Sequence, residues 1–146
     1  MPHNILLTGV SGYLGGDLLA ELASTDLPEY GRLFALIRSS EQADAVKQLG
    51  AEPLTLDVYN EDAVREAVLS HEITVVFFLI NAVSSASQKL FIKTLGELKK
   101  KTGSDVHFLH VWIIVRKQIE GANTDYSRQL VPRCFQAIPV LRPTVN

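Results

Sequence analysis

Apolar residues in this chain fall into two alternating textures. Short strand-like runs occur at 4–9 (NILLTG), 32–38 (RLFALIR), 52–58 (EPLTLDV), 73–80 (ITVVFFLI) and from 105 onward (DVHFLHVW). Runs this short with little polar alternation predict strands covered on both faces. Between them, apolar residues recur three or four apart, the spacing of one helix face. Leu14, Leu18, Leu19 and Leu22 make the first such face, until Pro28 and Gly31 break it. Ala45, Val46 and Leu49 make the second, and Ala63, Val64, Ala67 and Val68 make the third. The fourth runs from a cap at Ser84 or Ser85 to about Thr102, with Ala86, Leu90, Phe91, Leu95 and Leu98 on one side and Lys89, Lys93 and Lys99 toward water. Asn60 is placed to cap the third helix at its start. Gly50 and Gly103 stand where the second and fourth helices end and a left-handed residue is favoured.

Strands of the buried type separated by helices predict right-handed βαβ units and hence an α/β fold: a doubly wound parallel sheet with helices on both faces. The whole chain, 1–146, reads as a single domain, with a regular part at 1–111 and an atypical tail at 112–146. In the tail, RKQIEGANTDYSRQL has partial helical character, and IPVLRP is a candidate sixth, edge strand ended by Pro143.

The first strand runs into three glycines three apart, Gly9, Gly12 and Gly15, in LLTGVSGYLGGDLLAEL. At a strand-to-helix junction each has a definite use. The first permits the tight turn, the second lets backbone approach a pyrophosphate, and the third lets the helix pack close to the sheet. The helix N-terminus then offers about half a positive charge and unpaired N–H donors to the anion.

The segment Thr8 to Gly15, TGVSGYLG, resembles the TGxxGxxG fingerprint of the short-chain dehydrogenase/reductase superfamily. The form is that of its extended and atypical members, the NAD(P)-dependent epimerase and NmrA-like groups. ALIRSS (35–40), LGAEPLTLDVYNEDAV (49–64) and FFLINAVS (77–84) are similar to further segments of that superfamily, so the resemblance spans roughly 4–111. It implies a Rossmann-like sheet of order 3-2-1-4-5, extended by a sixth strand if IPVLRP forms one, with no complete substrate domain. It also implies pyrophosphate contact from Gly9, Ser11, Gly12, Tyr13, Leu14 and Gly15. Asp57 and Val58 would lie at the adenine, and Asn81 and Ala82 beside the ribose on the nicotinamide side. Asp57 has a plainer alternative as a strand-end acid bonding nearby backbone N–H groups.

The residue closing the second strand selects the cofactor. An acidic side chain there bonds the ribose hydroxyls of NAD, and a basic one answers the 2′-phosphate of NADP. Arg38, followed by Ser39 and Ser40, favours NADP over NAD.

Enzymes of the superfamily carry a Ser or Thr after the fifth strand and a Tyr-x-x-x-Lys on the next helix. Here the fifth strand runs into HVWIIV without a hydroxyl, and the tail's one tyrosine, Tyr126, has Leu130 in the lysine position. A tyrosine with pKa near about 10 and no cation beside it is a poor base at neutral pH. No catalytic residue is assigned on the sequence. His107 and His110, three apart on a strand, point to opposite faces and cannot share a metal.

A net charge of −2 supplies no basic field for a phosphate backbone, which argues against nucleic acid as a partner. Lys99, Lys100 and Lys101 read as a solvated helix end. The longest apolar stretches fall short of the roughly 18–20 residues of a membrane helix. No leader pattern precedes the first strand, and the single cysteine, Cys134, forms no internal disulfide, so a soluble cytoplasmic protein is expected.

Three functions compete on these grounds. One is an NADP-binding domain without the standard catalytic residues, either a truncated enzyme or a dinucleotide sensor with a protein partner, as some NmrA-like proteins are understood to be. Another is an active NADP-dependent oxidoreductase or epimerase acting on a small molecule, as in secondary metabolism. The third is a fragment, truncated or rearranged after about residue 111, that does not fold alone.

Overall fold

A computed structural model describes residues 2–25, 29–80 and 85–110. Strands and helices alternate as β1 (Asn4–Leu7), α1 (Tyr13–Ser24), β2 (Leu33–Leu36), α2 (Glu41–Gln48), β3 (Glu52–Leu54), α3 (Glu61–Ser70), β4 (Ile73–Phe78), α4 (Ala86–Thr102) and β5 (His107–His110). The strands form one parallel sheet of order β3-β2-β1-β4-β5, the order that the superfamily resemblance implies.

Alternate residues of the central strand feed two separate cores. Leu6 joins Val64 and Val68 of α3 and Phe91, Leu95 and Leu98 of α4 on one face. Ile5 and Leu7 join Leu19 of α1 and Val46 of α2 on the other. This segregation follows from the right-handed crossover rule. The chain winds outward from β1 to β3, then crosses back and winds the opposite way through β4 and β5, so its helices change face. The reversal falls between β1 and β4, and open α/β sheets bind ligands in the crevice at such a switch point.

The helix boundaries follow the sequence signals closely. Asn60 Oδ1 accepts the Ala63 N–H at 3.1 Å as an N-cap. Gly50 (φ 75°) and Gly103 (φ 73°) take the left-handed conformation expected of them. Ser85 does precede α4, but its backbone is helical (φ −86°, ψ −3°) and its side chain makes no capping bond. Ala86, expected in the apolar stripe, is exposed, and the buried positions of α4 include Ser87 and Thr94. Thr94 is accommodated because its hydroxyl donates to the Leu90 carbonyl at 2.9 Å.

The strands are shorter than the apolar runs that announced them. β3 keeps only Glu52–Leu54 of its expected 52–58, since its ladder has one neighbour, β2, which ends at Leu36. An ion pair ties this edge: Arg32 Nε lies 2.7 Å from Glu52 Oε1, with the guanidinium 4.6 Å from the Phe34 ring centroid. The guanidinium holds the Glu52 carboxyl below the usual carboxylate range, although solvent screening keeps so exposed a pair a minor contribution to stability. The candidate sixth strand in IPVLRP lies outside the described residues.

Candidate functional site

The site grows from the junction of β1 and α1, and its shape is set by close packing of backbone. Gly9 has φ +70°, and a Cβ there would lie 2.8 Å from the Leu79 carbonyl oxygen just past β4. A Cβ at Gly15, buried in the first turn of α1, would overlap the Gly9 carbonyl and lie 2.9 Å from the Val10 nitrogen. Those two glycines therefore build the turn. Gly12 differs: it is exposed, its backbone (φ −86°, ψ 170°) suits any residue, and an added Cβ would meet only the Gly9 carbonyl oxygen, at 3.2 Å. Its missing side chain leaves clearance toward solvent.

The turn is closed by the Gly12 N–H donating to the Gly9 carbonyl at 2.9 Å, after which Gly16 N–H donates to the Gly12 carbonyl at 3.0 Å. No side chain caps α1, and no acidic residue lies in its first turn. This contrasts with α3, which has the Asn60 cap and Glu61 and Asp62 in its first turn. The positive end of α1 thus faces outward uncompensated beside a backbone stripped of side chain, an arrangement fitted to a phosphate group. Ser11 and Leu14 are half-buried around the turn, and Tyr13 is 46% exposed.

Beneath the turn sits a residue whose role the sequence did not disclose. Thr8 is fully buried, and its hydroxyl donates to the Phe77 carbonyl at 3.1 Å while accepting the Leu79 N–H at 2.9 Å. Its own N–H also donates to Phe77, at 3.0 Å. One side chain thus holds the ends of β1 and β4 together where the crevice begins. The signals for it were a hydroxyl at the end of an otherwise apolar buried run and its place at the head of the TGxxGxxG pattern, neither of which says what it bonds. Thr8→Val keeps the shape but strands the Leu79 N–H, and is expected to cost about 1–3 kcal/mol in chemical denaturation. A midpoint unchanged from the parent would remove this role from the hydroxyl.

Three further positions, Arg38, Asp57 and Val58, follow the C-terminal ends of their strands. Arg38 follows β2, exposed, with its backbone N–H donating to Gln42 Oε1 at 3.1 Å. None of the salt bridges among the described residues involves it, so neither Glu41 nor Asp44 in the first turn of α2 takes up its charge. Asp57, past β3, makes the local bond that its plainer reading called for: Oδ1 accepts the Tyr59 N–H at 2.9 Å. Val58 is half-buried against the α3/α4 core. Asn81, Ala82 and Tyr126 lie outside the described residues.

The two histidines of β5 do take opposite faces. His107 is in register with Val75 of one core, and His110 with Phe78 of the other. Among the described residues no group of three or more His, Cys, Asp or Glu is spaced to hold a metal, and no helix is long and apolar enough to cross a membrane.

Residues 5–95, well over half of the chain, match the family described as NAD dependent epimerase/dehydratase. The chain belongs to that family. Within this epimerase/dehydratase family member, a stretch of 72 residues is 33% identical to a sterol-4-alpha-carboxylate 3-dehydrogenase (decarboxylating) of Dictyostelium discoideum, covering 49% of the chain and 21% of that protein. Among solved structures it resembles isoflavone reductase at 19% identity and a TM-score of 0.55, over 74% of this chain and 35% of the reductase. It also resembles the triphenylmethane reductase of Citrobacter sp., solved with NADP(H), at 18% identity and a TM-score of 0.51, over 79% and 39% of the two chains. At these identities the structural likeness is one of fold. The family member spans about a fifth of the length of the dehydrogenase and about a third of that of isoflavone reductase.

Proposed function

We propose that the chain binds NADP(H) in the crevice between β1 and β4 and does so without the Tyr-x-x-x-Lys chemistry of the superfamily it resembles. The observation that carries this is the uncapped N-terminus of α1, reached by a turn whose outward glycine, Gly12, answers no strong packing need. Backbone of the turn from Gly9 to Gly15 would hold the pyrophosphate, with Ser11, Tyr13 and Leu14 around it. Asp57 and Val58 would flank the adenine, the carboxylate through the oxygen not engaged by Tyr59. Asn81 and Ala82 would reach the ribose on the nicotinamide side. When bound, the nicotinamide supplies hydride-transfer chemistry. Position 130 is leucine, so Tyr126 does not begin a Tyr-x-x-x-Lys pattern, which supports a reading without that chemistry.

The binding test is thermal stability against added NADPH, since a ligand at about 100 times its dissociation constant stabilises the folded state by about 2.7 kcal/mol. A melting point unmoved by millimolar NADPH overturns the reading. For the cofactor choice, opposite charges about 4 Å apart attract by about 4 kcal/mol at an effective dielectric near 20. Desolvation reduces this, yet about 1.4 kcal/mol is already tenfold in affinity. Arg38→Asp is therefore expected to reverse a preference for NADPH over NADH, read as the ratio of dissociation constants. An unchanged ratio assigns the discrimination elsewhere.

The 33% identity to a dehydrogenase favours one second reading, an active NADP-dependent oxidoreductase or epimerase acting on a small molecule. It requires an acid/base group from residues 111–146 or from another chain. NADPH oxidation with carbonyl substrates, abolished by Tyr126→Phe, would establish it.

A further inference from the structure

At the opposite edge of the sheet from the glycine turn, two histidines from distant parts of the sequence meet. His3 precedes β1 and His107 opens β5, and their ring centroids lie 5.5 Å apart at an interplanar angle of 76°. β4 separates the two strands that carry them, so the pair spans it. The backbone that carries His3 is fixed, because its carbonyl accepts the Gly31 N–H at 2.9 Å and the next side chain, Asn4, bonds both the His71 carbonyl and the Arg32 N–H at 2.9 Å.

A break in the sheet supplies the third member. Asn4 pairs with Ile73 but Ile5 pairs with Val75, so the register slips and Thr74 is the extra residue on β4. Such an irregularity re-aims a side chain. Thr74, 8% exposed, has its Oγ1 3.0 Å from His3 Nδ1 and 3.4 Å from the Asn4 carbonyl. The hydroxyl can therefore accept from Nδ1–H while turning its own hydrogen to Asn4. In the tautomer that donates from Nδ1, the Nε2 lone pair of His3 is left for a ligand. Histidines that ligate metals are oriented in this way, by a bond from the ring nitrogen that does not ligate.

We propose that His3 and His107 form a two-imidazole site for a borderline divalent transition metal of the zinc class, with water completing the coordination. The spacing fits. An ion about 2.0–2.1 Å from a ring nitrogen lies about 3.2 Å from that ring's centroid, and a tetrahedral angle at the ion parts two such centroids by about 5.2 Å. Neutral imidazole is a good ligand for such ions. His107 is exposed, free to turn its ring toward the ion. The site stands on its own, remote from the phosphate-binding turn.

The test is calorimetric titration of the full chain with zinc chloride in the absence of dinucleotide. One equivalent is expected to bind. His107→Ala and His3→Asn are each expected to weaken uptake at least tenfold, Asn keeping a donor within reach of Thr74. His110→Ala, on the other face of β5, is expected to leave uptake unchanged, and circular dichroism reports whether each variant is folded. Uptake by the variants equal to the parent's, equal losses in His110→Ala, or no heat from the parent at millimolar zinc would each overturn the site. Gly12→Asp, in which dinucleotide binding is expected to be lost, should take up zinc like the parent, so failure of either proposal is visible separately.

Discussion

Gly15→Ala is expected to destabilise the domain by about 3 kcal/mol or more, the upper end of what overpacking costs, while the same exchange at Gly96 stabilises it. Both glycines lie within helices, Gly15 in α1 and Gly96 in α4. On helix propensity alone each exchange should stabilise by about 0.5–1 kcal/mol, because alanine loses less backbone entropy on folding. Gly96 has nothing within 4 Å of an added Cβ, so propensity decides there. At Gly15 the first added atom overlaps the Gly9 carbonyl, and the obstacle is backbone that cannot swing aside as a side chain could. Either the turn opens or α1 moves off the sheet, taking Leu19 out of its core with it. Typical domains have about 5–15 kcal/mol in total, so a loss of this size is a large share. Urea denaturation of the two variants beside the parent is the measurement. A stabilising shift in both variants would show that the close approach of turn and helix is softer than the geometry requires.

Gly12→Asp is expected to abolish dinucleotide binding while leaving stability within about 1 kcal/mol of the parent, since aspartate is among the favoured residues at an N-cap and glycine is only slightly worse. Gly12 occupies the N-cap of α1 in an extended conformation that aspartate adopts without strain. Its Cβ needs only a few tenths of an ångström from the Gly9 carbonyl. The new carboxylate would bond the first-turn amides and place a negative charge where a pyrophosphate belongs. Stability and binding are thereby separated at one position. Loss of the NADPH-dependent melting shift without loss of the fold is the expected result. Retained binding would place the phosphates away from this turn.

Much of this architecture was legible in the sequence because periodicity reports burial directly. The spacing of Leu14, Leu18, Leu19 and Leu22 marked α1, and the unbroken run at 73–80 marked β4. Strand limits were less legible, since β3 stops where its one neighbour stops, and a neighbour in space is invisible along the chain. The glycine spacing located the tight turn between β1 and α1, but could not say that Gly9 and Gly15 answer packing while Gly12 leaves clearance. The role of Thr8 was hidden for the same reason: its partners, Phe77 and Leu79, are 69 and 71 residues away. Asp57 shows the converse, since its bond to Tyr59 spans two residues and is the kind of contact that local sequence describes well.

That separation of Thr8 from its partners governs the order in which this protein can be made. The fingerprint at 8–15 is synthesised well before the strand it leans on, β4 at Ile73–Phe78, and before Leu79 just past it. Contacts so distant along the chain form late, because closing the intervening loop costs entropy before the contacts can repay it. Throughout that interval β1 is an apolar ribbon lacking its β4 partner, open to the wrong neighbour. A chain halted short of β4 would carry every glycine of the motif without the packed turn, and a dinucleotide could assist folding only after the central pair of strands has closed.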